Sequence, residues 1–311
     1  MSYKVLISAP YLQPHLDRFR PIFAANDIEL FVPPVEERFE EEDLLPWMGD
    51  IDGVICGDDR FTERVLEASP RLKVISKWGT GIDSIDKAAC QRLGIALCNT
   101  PNAFSEPVAD TVFGYMLAFV RRQPWMDRAM KGGTWQKING RSLRECTLGI
   151  IGVGDVGKAV ARRAPAFGLR LLGHDLVDMP AEFVAETGIE MVSREELLHQ
   201  ADFVSVNCDL NPTSYHLIND ATLALMKPEA VLINTARGPV VEEAALIRAL
   251  QSGQIGGAAL DVFEFEPLPA DSPLRQMDNV LLAPHNANSS PLAWERVHEN
   301  SINNLLRELY R

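Results

Sequence analysis

The chain has 311 residues, a length that suits two domains better than one. Hydrophobic residues make up 46%, ample material for buried cores, and acidic residues exceed basic ones by 13 with no separate cluster of Lys or Arg. That balance disfavours a nucleic-acid or anionic-membrane partner, since both need a basic face.

The N-terminal run Val5-Leu6-Ile7 is short and lacks the flanks of a secretory signal, and no window reaches the ~20 apolar residues of a membrane span. The five cysteines, Cys56, Cys90, Cys98, Cys146 and Cys208, are scattered and form no CxxC pair, which fits reduced thiols in a cytoplasmic protein. Apolar runs at Val5 to Ile7, Ile28 to Val32, Gly53 to Ile55, Val74-Ile75 and Ile95 to Leu97 read as buried strands. Helical patterns such as Thr62 to Ala68 and Asp86 to Leu93 lie between them. The acidic run Glu36 to Asp43 reads as a solvated surface segment. A long helix is predicted from Ser105 to Arg122, and a second from Trp125 to Lys131.

A new β–α series opens at Thr147. Its predicted strands are Leu148 to Ile151, Arg170 to Gly173, Phe203 to Val206, Val231 to Ile233, Gly257 to Leu260 and Val280 to Leu282, before a last helix from about Pro291 to Tyr310. Continuous apolar strands alternating with helices predict α/β architecture with parallel sheets covered on both faces. The expected fold is two doubly wound domains. A Rossmann cofactor domain, 100–286, is inserted in a flavodoxin-like substrate domain made of 1–99 and the returning 287–311.

Gly152-Val153-Gly154-Asp155-Val156-Gly157 follows a predicted strand and opens a helix. Gly152 permits the tight turn, Gly154 lets a pyrophosphate approach the backbone, and Gly157 lets helix and strand pack closely. The amides at Asp155 and Val156 then lie at a helix N-terminus, whose free N–H groups and dipole favour phosphate. Asp175 ends the next strand and is placed to bond a ribose 2′-hydroxyl; with Leu176 and Val177 after it, no adjacent base awaits a 2′-phosphate. The expected cofactor is therefore NAD.

Three polar residues follow later strands of the same domain: Arg237 after Val231 to Ile233, Glu266 after Ala258 to Leu260, and His285 after Val280 to Leu282. Ligands of open α/β sheets bind at such carboxyl ends. Oxidising a 2-hydroxy acid by hydride transfer needs a base for the hydroxyl proton, a carboxylate to orient it, and a guanidinium for the substrate carboxylate. His285, Glu266 and Arg237 are those types, with Glu264 the competing carboxylate. No metal is required, because Arg and His can polarise the carbonyl.

Together with Lys77-Trp78-Gly79-Thr80-Gly81-Ile82-Asp83, Asn99-Thr100-Pro101-Asn102, Asn234-Thr235-Ala236-Arg237-Gly238, Ala259-Leu260-Asp261-Val262-Phe263 and Pro284-His285, these motifs resemble the D-isomer-specific 2-hydroxyacid dehydrogenases, phosphoglycerate dehydrogenase-like branch, over nearly the whole chain. The resemblance implies an NAD-dependent enzyme acting on a small D-2-hydroxy or 2-oxo acid of hydroxypyruvate or phosphoglycerate type. It implies Arg237 as substrate anchor, Glu266–His285 as acid/base pair, and Cys208, Thr235, Ala236 and Asp261 along the cofactor. Asp261 would meet the nicotinamide amide. The Trp78, Gly79, Thr80 and Gly81 loop would cradle the substrate carboxylate, and the enzyme would be a homodimer paired through its cofactor domains.

The chain departs from the family at Asp209-Leu210-Asn211, at Asn286-Ala287-Asn288-Ser289-Ser290, and at Gly57, where phosphoglycerate-specific members carry an Arg. Lys77 and Arg60 are the first-domain cations able to meet a second polar or anionic substrate group; a solvated strand-end lysine is the competing reading of Lys77. An NAD(H)-sensing regulator on the same scaffold is the alternative function, and a formate dehydrogenase-like enzyme a second rival that Glu266 argues against.

Overall fold

The computed structural model describes residues 2–311 and divides into two units. The first holds the residues up to Phe104 together with Ser290–Arg311; the second is Ser105–Ser289.

The first unit alternates β1 (Tyr3–Ile7), α1 (Arg20–Ala25), β2 (Ile28–Phe31), α2 (Glu41–Met48), β3 (Gly53–Cys56), α3 (Glu63–Glu67), β4 (Val74–Lys77), α4 (Lys87–Leu93) and β5 (Ala96–Cys98). All pairings are parallel, in the order β2-β1-β3-β4-β5, the flavodoxin-like winding. One face is sealed by Leu44, Met48, Val65, Leu66 and Cys90 packed on Leu6, Val54 and Ile75. The acidic run does more than coat the surface. Glu40 and Asp43 form a reciprocal cap, and Glu41, Glu42 and Asp43 fill the first turn of α2, where carboxylates oppose the positive end of the helix.

The second unit opens with α5 (Ser105–Arg121) and α6 (Gln123–Lys131). It continues through β6 (Thr147–Ile151), α7 (Asp155–Phe167), β7 (Arg170–His174), α8 (Ala181–Thr187), β8 (Glu190–Met191), α9 (Arg194–Gln200) and β9 (Phe203–Val206). It ends with α10 (Asp220–Leu223), β10 (Val231–Asn234), α11 (Glu243–Gln251), β11 (Gly257–Leu260) and β12 (Val280–Leu282). Its seven parallel strands run β12-β11-β10-β9-β6-β7-β8, the Rossmann order with one strand more. Strands β9, β10 and β11 are buried at every residue, so their runs are mostly apolar, with Ser205 and Asn234 the exceptions, rather than alternating. The chain reverses direction across the sheet between β6 and β9, and ligands of such sheets bind at that switch point.

The last helix, α12 (Pro291–Leu309), belongs to the first unit. Val297, Ile302, Leu305 and Leu309 are buried on it, and Ser76 Oγ in β4 donates to the Ser301 carbonyl at 2.8 Å. A Cβ at Gly53 in β3 would stand 2.8 Å from the Leu305 side chain, so helix and sheet pack closely there. No described helix is long and apolar enough to cross a membrane.

Candidate active site

The switch point of the second unit is built backbone against backbone. Gly152 has φ +87, and a Cβ there would fall 2.5 Å from the Cys208 nitrogen; one at Gly157 would fall 2.1 Å from the Gly152 carbonyl. These two glycines let the β6–α7 turn press against the chain leaving β9. Gly154 differs: the space beside it is open within 4 Å, at the residue that caps α7. An open flank beside a helix N-terminus is what a pyrophosphate needs. At Asp155 the amide suits a phosphate and the carboxylate does not.

Asp175 follows β7 and turns its carboxylate back onto this turn. Oδ2 accepts from the Val153 N–H at 2.6 Å and Oδ1 from the Val177 N–H at 3.0 Å. Each oxygen keeps a lone pair for another donor. Leu176 and Val177 beside it are largely exposed. Burial pushes the Cys208 thiol up to about 11, so at neutral pH it is a small protonated hydrophobe.

At the end of β10 the Asn234 side chain, fully buried, shapes the next turn. Its Oδ1 accepts from the Ala236 N–H at 3.1 Å and its Nδ2 donates to the Arg237 carbonyl at 3.0 Å. The half-buried Arg237 guanidinium donates from Nη1 to the Ala236 carbonyl at 2.9 Å. Thr235 Oγ1 is buried and has no hydrogen-bond partner in the structure, a hydroxyl that a bound ligand would satisfy. A nicotinamide dinucleotide therefore fits the residues present: an open glycine turn, a carboxylate with lone pairs in reserve, and an orphaned hydroxyl at the strand ends.

After β11 the Asp261 carboxylate holds the loop that follows β12. Oδ1 accepts from the Asn286 N–H at 2.8 Å, Oδ2 from the Ala287 N–H at 2.9 Å, and the Asp261 carbonyl accepts from the His285 N–H at 2.7 Å. Burial raises its pKa while the two amides oppose the rise. So fixed, His285 takes a left-handed backbone, φ 51, and its Nδ1 lies 2.9 Å from Glu266 Oε2. A carboxylate only accepts, so Nδ1 carries a proton. Glu266 Oε1 accepts from the Phe263 N–H at 2.9 Å, which folds the side chain onto its own turn. That turn packs against the Arg237 turn: a Cβ on Gly238 would lie 1.8 Å from the Phe263 carbonyl oxygen. Glu264 pairs elsewhere, with His216 Nε2 at 2.5 Å.

In the first unit the glycine loop after β4 is less open than its sequence suggests. The Trp78 N–H is taken by the Cys56 carbonyl at 2.8 Å, which leaves the amides of Gly79, Thr80 and Gly81 as the loop's candidates. Thr80 Oγ1 donates to the Thr100 carbonyl at 3.0 Å. The Trp78 ring is buried, and its Nε1 donates to His298 Nδ1 at 2.9 Å. Lys77 is neither solvated nor at a sheet edge. It ends an inner strand, is 3% exposed, and its Nζ meets Asp58 Oδ1 at 2.9 Å. Asp59, buried and raised to about 6 by that burial, stands close by. Arg60 leans toward Glu40, 3.9 Å away. His216 is silent in the sequence because its partner lies 48 residues away, and Asn234 and Gly238 are read there only as members of a motif, their parts in shaping the turn lying in side-chain and backbone geometry.

An imidazole paired with a carboxylate, on a domain shaped for dinucleotides, suits the coupling of proton transfer to hydride transfer; the fold and the dinucleotide turn are those of a nicotinamide-dependent dehydrogenase. The D-isomer specific 2-hydroxyacid dehydrogenase family, NAD binding domain, matches residues 113–287. Glyoxylate reductase of Korarchaeum cryptofilum is 41% identical over 254 residues, 80% of this chain and 76% of that one. D-3-phosphoglycerate dehydrogenase of Methanocaldococcus jannaschii is 38% identical over 291 residues, 92% of this chain and 54% of that protein. The crystal structure of D-lactate dehydrogenase from Aquifex aeolicus with NAD and lactic acid superposes with a TM-score of 0.87 at 30% identity, covering 96% of this chain and 93% of that one. The chain belongs to the D-isomer-specific 2-hydroxyacid dehydrogenase family and is an NAD-dependent oxidoreductase. None of these relatives favours the sensing alternative.

Proposed function

We propose that the enzyme reduces small, unphosphorylated 2-oxo acids of the glyoxylate and hydroxypyruvate type with NADH. The 2.9 Å pairing of His285 Nδ1 with Glu266 carries this reading. His285 Nε2 gives its proton to the substrate oxygen in reduction and takes it back in oxidation, and Glu266 stabilises the charged ring. Arg237 anchors the carboxylate and polarises the carbonyl. In this reading the Trp78, Gly79, Thr80 and Gly81 loop offers the amides of its last three residues to the carboxylate. Bound NADH supplies the hydride. Gly152, Gly154, Asp155, Val156 and Gly157 hold its phosphates by backbone contact, Asp175 its ribose, and Cys208, Thr235, Ala236 and Asp261 its nicotinamide side.

Lys77 supports the choice of a small substrate. Its charge is already met by Asp58, so it does not favour a phosphate, and Gly57 supplies no cation either. The glyoxylate reductases among the relatives point the same way. The test is reduction of glyoxylate, hydroxypyruvate, pyruvate, phosphohydroxypyruvate and phenylpyruvate with NADH and NADPH. We expect the first two to lead, and NADH to exceed NADPH by at least about tenfold in kcat/KM, the equivalent of ~1.4 kcal/mol. A lead for the phosphorylated or aromatic acid overturns the substrate assignment, and equal use of both cofactors overturns the role of Asp175. His285→Ala should cost about 10²–10⁴ in kcat, the usual size of a general acid–base contribution.

The homodimer belongs to the same proposal. Residues 132–142 of the second unit are exposed throughout, and Trp135 among them is 88% exposed. An aromatic side chain so placed on the cofactor domain suits a partner surface.

A further inference from the structure

The turn that carries Glu266 is held by a second histidine–carboxylate pair. His216 Nε2 and Glu264 Oε1 lie 2.5 Å apart, joining residues 48 positions apart in sequence. Both side chains are largely buried, and the Tyr215 ring stacks on the imidazole with centroids 4.0 Å apart. His216 is itself fixed. Its N–H donates to the Pro239 carbonyl at 2.9 Å, its own carbonyl accepts from Asn219 Nδ2 at 2.9 Å, and its φ is 49.

The two ends of this link matter. Pro239 follows Arg237 by two residues, and the strip around it is zipped to His216's segment, with the Ile218 N–H on the Val240 carbonyl and the Glu242 N–H on the Ile218 carbonyl. Glu264 precedes Glu266 by two residues, and its N–H also reaches Glu243 Oε2 at 3.3 Å. The pair therefore ties the turn of the substrate anchor to the turn of the acid/base carboxylate. Between the same turns, Gly238 and Phe263 meet backbone to backbone with no room for a side chain. That contact limits how closely the turns approach; the His216–Glu264 hydrogen bond limits how far they part.

We propose that His216 and Glu264 are positioning residues that keep Arg237 in register with Glu266 and His285 during turnover. Neither touches the reacting atoms. A bond between two side chains whose backbones are themselves fixed restrains the turn, and it leaves Glu266 Oε2 less freedom to leave His285. The inference rests on the roles proposed above for Arg237, Glu266 and His285, and its test separates the two.

The enzyme and the variants H285A, H216A, H216Q, E264M and the double variant H216A/E264M are compared for kcat and KM with glyoxylate, for NADH affinity by fluorescence, and for melting temperature. H216A and E264M should each lower kcat by roughly 10- to 100-fold, the cost of an ångström-scale misplacement. KM should rise less, and NADH affinity should stay within about twofold because the glycine turn is untouched. The double variant should fall no further than either single one, since one bond is lost in all three. H216Q, whose amide N–H still reaches the carboxylate, should recover most of the activity. Wild-type kcat in H216A and E264M beside an inactive H285A overturns the inference. So does an H216Q as impaired as H216A, which marks a packing role. Should H216A fail to bind NADH, E264M, close to the native side chain in length, decides. An active H285A overturns the reading of the site itself, and the inference with it.

Discussion

Two histidines in this chain show how environment sets what an imidazole does. His285 is held through Nδ1 by a carboxylate, whereas His298 is sealed under Trp78 and accepts that ring's N–H. Burial depresses the His298 pKa to about 4, and the neighbouring His15 and Arg18 add to the effect. The consequence for stability has a definite sign. Between about pH 6.5 and 4 the unfolded chain binds a proton that the folded one refuses, so stability falls as pH falls through that window and the loss stops below it. Replacing His298 by Gln keeps an acceptor for Trp78 and removes the titration. Urea midpoints of the two proteins, followed by tryptophan fluorescence, should diverge from pH 4 to 6.5, with wild type gaining by up to ~1.4 kcal/mol per unit. Parallel curves would show that His298 titrates normally.

Residue identity was readable where the chemistry demands one type at one place. Gly152 and Gly157 of the β6–α7 turn stand out because a side chain at either would run into backbone. Glu266 is marked by its position before Pro267. What the one-dimensional reading missed depends on partners far along the chain. Glu264 and Glu266 each face a histidine, and nothing local tells which imidazole belongs to which. Lys77 carries the label of a cation free to bind; only folding brings Asp58 to it.

Elements follow the same division. Strands β9, β10 and β11 announce themselves as mostly apolar runs without alternation, because parallel strands are covered on both faces. The edge strand β8 has two residues, one charged, and leaves no pattern to find. Helix α2 hides inside an acidic run whose value lies in its place at a helix start. Two glycines give a direct test of how the elements are joined. Gly238 abuts the Phe263 backbone, which cannot swing aside as a side chain can, so Gly238→Ala should cost about 3 kcal/mol and most of the activity. Gly114 lies exposed in the interior of α5 with nothing within 4 Å, so Gly114→Ala should stabilise by about 0.5–1 kcal/mol. Thermal melts of both variants check this, and a stable Gly238→Ala would mean that the two turns can separate without harm.

At the scale of the whole molecule, the assembly proposal has a clean measurement. Trp135→Glu should turn a dimer into a monomer in analytical ultracentrifugation, because the charge cannot be buried in an apolar contact. An unchanged mass would place the subunit contact elsewhere. Such a surface is silent in the sequence, since a tryptophan in a polar loop looks the same whether it faces water or a partner.

The return of α12 to the first unit sets an order of assembly. As the nascent chain emerges, β1 to β5 appear first, yet the helix that covers β3 and β4 comes only after the entire second unit has been made. At ~5–20 residues per second, translation of that unit lasts roughly ten to forty seconds. Through that interval the sheet face that will receive Leu305 and Leu309 stays bare, while the second unit, whose sequence is continuous, completes its own core. The strands made first are thus the last to be finished, and a ribosome stalled before α12 would display them uncovered to chaperones and proteases.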